Sequence, residues 1–144
     1  MITTIGVGTD GSETAQKAVD FAMDMAERYQ AKLVIASAYR PVGEDRIKKE
    51  KTDAPQEIQW SINPAEEVDA TLRAVEQQAG ERGLDYVSEA RNGDAADVLC
   101  DIAADHEVDI MVVGNKGMHR RILGSVPNTV SHKAPCSVMI VKTA

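Results

Sequence analysis

Two short segments carry residue types, at spacings, that can do chemistry. The first, Gly8-Thr9-Asp10-Gly11-Ser12, sets a carboxylate and two hydroxyls between an apolar run and a helical pattern. The second opens with Gly114-Asn115-Lys116-Gly117 and closes with Gly124-Ser125. Glycines let a backbone approach an anion closely, and a helix opening at Ser125 offers main-chain N–H groups that no helical carbonyl satisfies. Lys116, Arg120 and Arg121, with His119 among them, put three formal positive charges within six residues of an otherwise acidic chain. Cations beside glycine amides suit a polyphosphate. The plainer alternative is that the glycines serve only as turns and that the Ser125 hydroxyl caps its own helix. Asp10 also has two readings. It can accept from a ribose or share a divalent ion with phosphate oxygens, or it can organise the turn through an Asx contact.

Five apolar runs, at about 3–8, 32–38, 85–90, 108–113 and 137–141, read as strands. The second and fourth are nearly continuous, as in parallel strands buried on both faces, and the third alternates, as at a sheet edge. Helical spacing separates them. Ala15, Ala18, Val19, Ala22, Met25, Ala26 and Tyr29 form one stripe over about 13–29, capped by Ser12. Asn63, Pro64 and Glu66 start a second helix bearing Val68, Leu72, Val75 and Ala79, which Gly83 ends. Asp94 caps a third, with Val98, Leu99, Ile102 and Ala103 inward and His106 at its dipole-favoured end. A fourth runs from Ser125 to about Lys133, with Pro127 in its first turn. The order β-α-β-α-β-α-β-α-β predicts one α/β domain over 1–144, with any ligand outside the carboxyl ends of the strands. The segment 40–62 has two prolines, many charges and no period, and reads as a long loop with Trp60 as an anchor.

A formal net charge of −7 and 3% aromatic residues weigh against nucleic acid as a partner. No apolar window reaches the ~18 residues of a membrane span, and residues 1–4 lack the pattern of a signal peptide, so a cytoplasmic location is expected. Cys100 and Cys136 lack ligand spacing and read as small buried hydrophobes. A P-loop, a nucleophile elbow and a metal-spaced His pair are all missing, so no catalytic residue is assigned.

Thr9-Asp10-Gly11-Ser12, Val112-Val113-Gly114-Asn115-Lys116-Gly117, Gly124-Ser125-Val126 and the terminal Ser137–Val141 together resemble the universal stress protein family. The resemblance implies a flavodoxin-like, Rossmann-like three-layer sandwich with a five-stranded parallel sheet of order 3-2-1-4-5. It also implies a homodimer that pairs through the last strands, Ser137–Val141, and an adenine nucleotide as ligand. ATP is the first expectation, with Mg2+ or Mn2+ held through Asp10. Carried over by position, Thr9 and Asp10 meet the nucleoside and Ala38 the adenine, while Gly114, Gly117, Gly124, Ser125 and Val126 meet the phosphates. Gly8, Val113, Asn115, Lys116, Arg120 and Pro127 complete the expected site. The chain departs from the family's Gly-x2-Gly-x9-Gly-Ser/Thr pattern, since six residues separate Gly117 from Gly124. A shorter loop favours a ligand with fewer phosphates, cyclic AMP or AMP. A stress-response sensor or regulator is the leading function. A slow ATPase or phosphate-transferring enzyme and a nucleotide-free dimeric interaction protein are the alternatives.

Overall fold

The computed structural model describes residues 1–39, 65–115 and 125–143. Among them alternate β1 (Thr4–Gly8), α1 (Glu13–Tyr29), β2 (Lys32–Tyr39), α2 (Ala65–Glu81), β3 (Tyr86–Asn92), α3 (Ala95–Asp105), β4 (Ile110–Gly114), α4 (Ser125–Lys133) and β5 (Ser137–Val141). All four strand pairings are parallel, and the order is β3-β2-β1-β4-β5, as the resemblance implied.

Side-chain alternation divides the core into two layers. Ile5, Val7, Leu33, Ile35 and Val112 face α1 and α2, whose Val19, Ala22, Val68 and Leu72 cover them. Val34, Ala36, Met111 and Val113 face α3 and α4 on the other side, under Leu99, Ile102 and Val130. Burying each such Leu, Ile or Val removes apolar surface worth roughly 1.5–3 kcal/mol. Central β2 is buried at six consecutive positions and β3 is half-buried at the edge, so both strand expectations hold. The polar α3-side residues of β3 pair with the end of α3. Glu89 binds Arg91 and lies 2.7 Å from His106 Nε2, and Arg91 donates to Asp105 at 2.7 Å. His106 thus caps its helix and also ties it to the edge strand.

Three helices end alike. Gln30, Gly83 and Glu107 take left-handed φ of 53°, 73° and 52°, and the next residues, Ala31, Leu84 and Val108, donate back to Ala26, Ala79 and Ala103. These are Schellman closures. The third draws Val108 into the helix-ending turn, which is why β4 starts at Ile110 rather than at 108.

Two packing expectations need correction, those for Tyr29 and for the cysteines. Tyr29, the last residue of α1, is 51% exposed, whereas Met23, outside the expected stripe, is fully buried. Ile140 is 36% exposed, since β5 is an edge strand with neighbours on one flank only. Both cysteines are free and only half-buried, Cys100 on α3 and Cys136 in the lead-in to β5, and burial pushes both thiols up. The 40–62 loop, Trp60, Asn63 and Pro64 lie outside the described residues.

Candidate functional site at the carboxyl ends of β1 and β4

The connections run from β1 outward to β3 on one side, then return to β4 and β5 on the other. The reversal falls between β1 and β4, which pair through Val7 and Val112. Loops diverge there, and doubly wound sheets place ligands at that crevice.

The turn leaving β1 is organised by its own side chains. Thr9 is 2% exposed, its N–H donates to Ala36 O at 3.0 Å, and its carbonyl accepts from Ser37 Oγ at 2.7 Å. Thr9 Oγ1 accepts from Gly11 N at 3.1 Å, and Asp10 Oδ1 accepts from Ser12 N at 2.9 Å. Ser12 Oγ in turn caps α1 by accepting from Ala15 N. The Asx contact, one of the two readings of Asp10, is therefore present, and its carboxylate is half-buried in the turn after β1. Gly11 has φ +83°, and a Cβ there would stand 2.5 Å from Thr71 Oγ1, so α2 forms a wall of the same turn.

Ala38 is 5% exposed near the end of β2, and Val113 is 3% exposed near the end of β4. Packing supplies a reason for two of the glycines. A Cβ on Gly8 would lie 2.7 Å from Leu99 Cδ1, and one on Gly114 would lie 3.0 Å from Thr143 Cγ2. Asn115, 1% exposed, turns its side chain inward, where Oδ1 accepts from both the N–H and the hydroxyl of Thr143 at 2.7 Å.

Because α4 leads into a strand parallel to the rest, its first turn sits at the carboxyl end of the sheet. Ser125 is exposed there, Val126 is half-buried against the core, and Pro127 is buried. The first-turn N–H groups, which lack helical acceptors, fit an anionic group. Lys116, Gly117, Arg120 and Gly124, like His119 and Arg121, lie outside the described residues.

Sequence reasoning passed over Ser37, Thr71 and Thr143. Ser37 left a faint signal as a hydroxyl inside an apolar run, but Thr71 and Thr143 lie far from either motif. Among the described residues, no three His, Cys, Asp or Glu side chains are grouped to hold a metal ion, and no helix is long and apolar enough to cross a membrane.

The doubly wound sheet and the Asp-bearing and helix-opening turns at its switch point define a flavodoxin-like α/β protein. The model of the universal stress protein family matches residues 1–142. Universal stress protein Rv1636 of Mycobacterium tuberculosis is 36% identical over 144 residues, which cover 97% of this chain and 96% of that protein. Universal stress protein YxiE of Bacillus subtilis is 28% identical, with 94% and 96% covered. This chain belongs to the universal stress protein family. Among solved structures, a universal stress protein in complex with cyclic AMP superposes with a TM-score of 0.74 at 34% identity, covering 99% of this chain and 98% of that one. A family member from Arabidopsis thaliana with AMP bound has a TM-score of 0.70 at 17% identity, with 99% and 92% covered, and shares the fold.

Proposed function

We propose that this chain binds an adenine nucleotide at the β1/β4 switch point and acts in the cytoplasm as a stress-response sensor or regulator whose state follows occupancy. One observation carries the reading. The Asp10 turn after β1 and the start of α4 at Ser125 both lie at the carboxyl ends of the strands, in a chain 34% identical to a protein solved with cyclic AMP. In this reading Thr9 and Asp10 meet the nucleoside, Ala38 borders the base, and the N–H groups of Ser125 and Val126 receive phosphate, with Gly117, Gly124, Lys116 and Arg120 completing the loop. The six-residue interval between Gly117 and Gly124 favours one phosphate over three. Cyclic AMP and AMP are therefore assigned affinities at least equal to that of ATP, with Mg2+ or Mn2+ engaging Asp10 only alongside ATP. No group in the crevice is assigned as a nucleophile or general base, so turnover of ATP is slow at most.

Isothermal titration with ATP, AMP and cyclic AMP, each with and without Mg2+, tests this. Heats from at least one nucleotide, lost in Asp10→Ala, are expected. Silence from all three at ~1 mM, the regime of binding weaker than about −4 kcal/mol, refutes nucleotide binding and leaves the interaction-protein alternative. Tight binding of ATP alone refutes the preference for one phosphate. The same reading includes a homodimer paired along β5, where half-buried Val138 and exposed Ile140 accompany an unpaired strand edge. Sedimentation showing only monomer at micromolar concentration removes that part.

A further inference from the structure

We infer that Asn115 and Thr143 form a positioning clasp that fixes the backbone at the exit of β4, Gly114–Asn115, so that Asn115 acts on a ligand by holding that backbone rather than by touching it. This rests on the nucleotide reading above. Asn115 follows Gly114 directly at the crevice, yet its side chain is 1% exposed and its Oδ1 accepts two 2.7 Å hydrogen bonds from Thr143, one from the N–H and one from Oγ1. Its own N–H donates to Val141 O at 3.0 Å. Thr143 is 2% exposed, and its methyl group fills the space that a Cβ on Gly114 would need. Lys17 Nζ on α1 donates to Thr143 O at 3.2 Å. The residues just past β5 are thus fastened to the exit of β4 by a buried pair and to α1 by a third bond. Backbone that borders a ligand site must be held in place before the ligand arrives, or ordering it is charged against affinity.

Thr143→Val keeps the shape and removes the hydroxyl donor, whereas Thr143→Ser keeps the donor. The amide of Asn115 is followed by hydrogen exchange in the ligand-free protein, and nucleotide affinity by titration at a temperature where circular dichroism shows each variant folded. In Thr143→Val the Asn115 amide is expected to exchange about tenfold faster and the nucleotide Kd to rise about tenfold, the size of one lost buried hydrogen bond. Thr143→Ser restores both to near wild type. Lys17→Met, which cuts the outer bond without entering the buried pair, shifts both measurements the same way but less, and serves if Thr143→Val does not fold. Wild-type exchange and affinity in Thr143→Val, or in Lys17→Met if that variant must serve, overturn the clasp. If the wild-type protein binds no nucleotide, the functional reading fails, and the exchange measurement alone decides whether the clasp orders the exit of β4.

Discussion

Replacing Gly11 with alanine tests whether the Asp10 turn is held in one geometry by backbone and by packing together. At φ +83° an L-residue is strained by about 1–2 kcal/mol. The new Cβ would also stand 2.5 Å from Thr71 Oγ1, whose hydroxyl is engaged 3.0 Å from Glu67 O, so relief requires breaking that bond or shifting α2. Overpacking of this kind costs about 1–3 kcal/mol. Alanine restricts the unfolded chain and returns about 0.4–1 kcal/mol. The middle of these ranges gives a net destabilisation of about 3 kcal/mol, which lowers the urea midpoint by about 1.5 M for a slope near 2 kcal/mol/M. A double-mutant cycle separates the two causes. In a Thr71→Ala background the clash disappears and Gly11→Ala keeps only the φ cost, so the pair couples by about 1 kcal/mol or more. A neutral Gly11→Ala would refute the backbone assignment. An equal loss with and without Thr71 would refute the contact with α2.

Two further expectations follow from local geometry. Glu107 closes α3 at φ 52°, so Glu107→Gly should stabilise the fold by about 0.5–1 kcal/mol, read as a Tm higher by roughly 2–3 °C, and a lower Tm would show that the side chain matters more than the backbone. Asp109 Oδ2 accepts from Thr3 N at 2.8 Å and Thr4 N at 3.0 Å, and these bonds hold its carboxyl below the ordinary value of 3.8. A depressed carboxylate contributes stability that is present above the ordinary value and is lost as pH falls through the lowered one. Urea midpoints of wild type and Asp109→Asn should therefore converge as pH drops below about 4, and a constant gap between them would refute the assignment.

The succession of strands and helices was legible because it rests on local patterns repeated along the chain, whereas the strand order came from the family resemblance. The unbroken apolar run Leu33–Ala36 announces a central strand, and the polar alternation of Ser88, Glu89 and Arg91 announces an edge. Helix starts were legible for the same reason, with Ser12 and Asp94 each accepting from the N–H three residues on. Of the three left-handed closures, only the one at Gly83 was advertised by its residue type. Gln30 and Glu107 adopt the same left-handed turn without the residue type that advertises it, because hydrogen bonds from Ala31 and Val108 and the packing beyond them outweigh a local strain of about 1 kcal/mol.

The candidate site divides along the same line. The Asx and cap bonds of the Asp10 turn join residues within three of one another, so they could be read from the sequence, whereas its ties to Ser37 and Thr71 could not. The role of Asn115 could not, since its partner lies 28 residues away and is brought beside it only when β5 pairs with β4. Types and spacing made Asn115 a ligand contact, although an amide side chain serves equally well as a buried acceptor for a distant strand end. Gly8 and Gly114 carry the same ambiguity. A missing Cβ can admit a phosphate or a neighbouring side chain, and at these positions Leu99 and Thr143 occupy the space on the side where the Cβ would point. Glycine motifs at a switch point therefore report first how closely helix and tail pack against the strand ends. Whether their remaining open side receives a ligand depends on how the backbone beside them is held, and at the exit of β4 the bonds between Asn115 and Thr143 hold it.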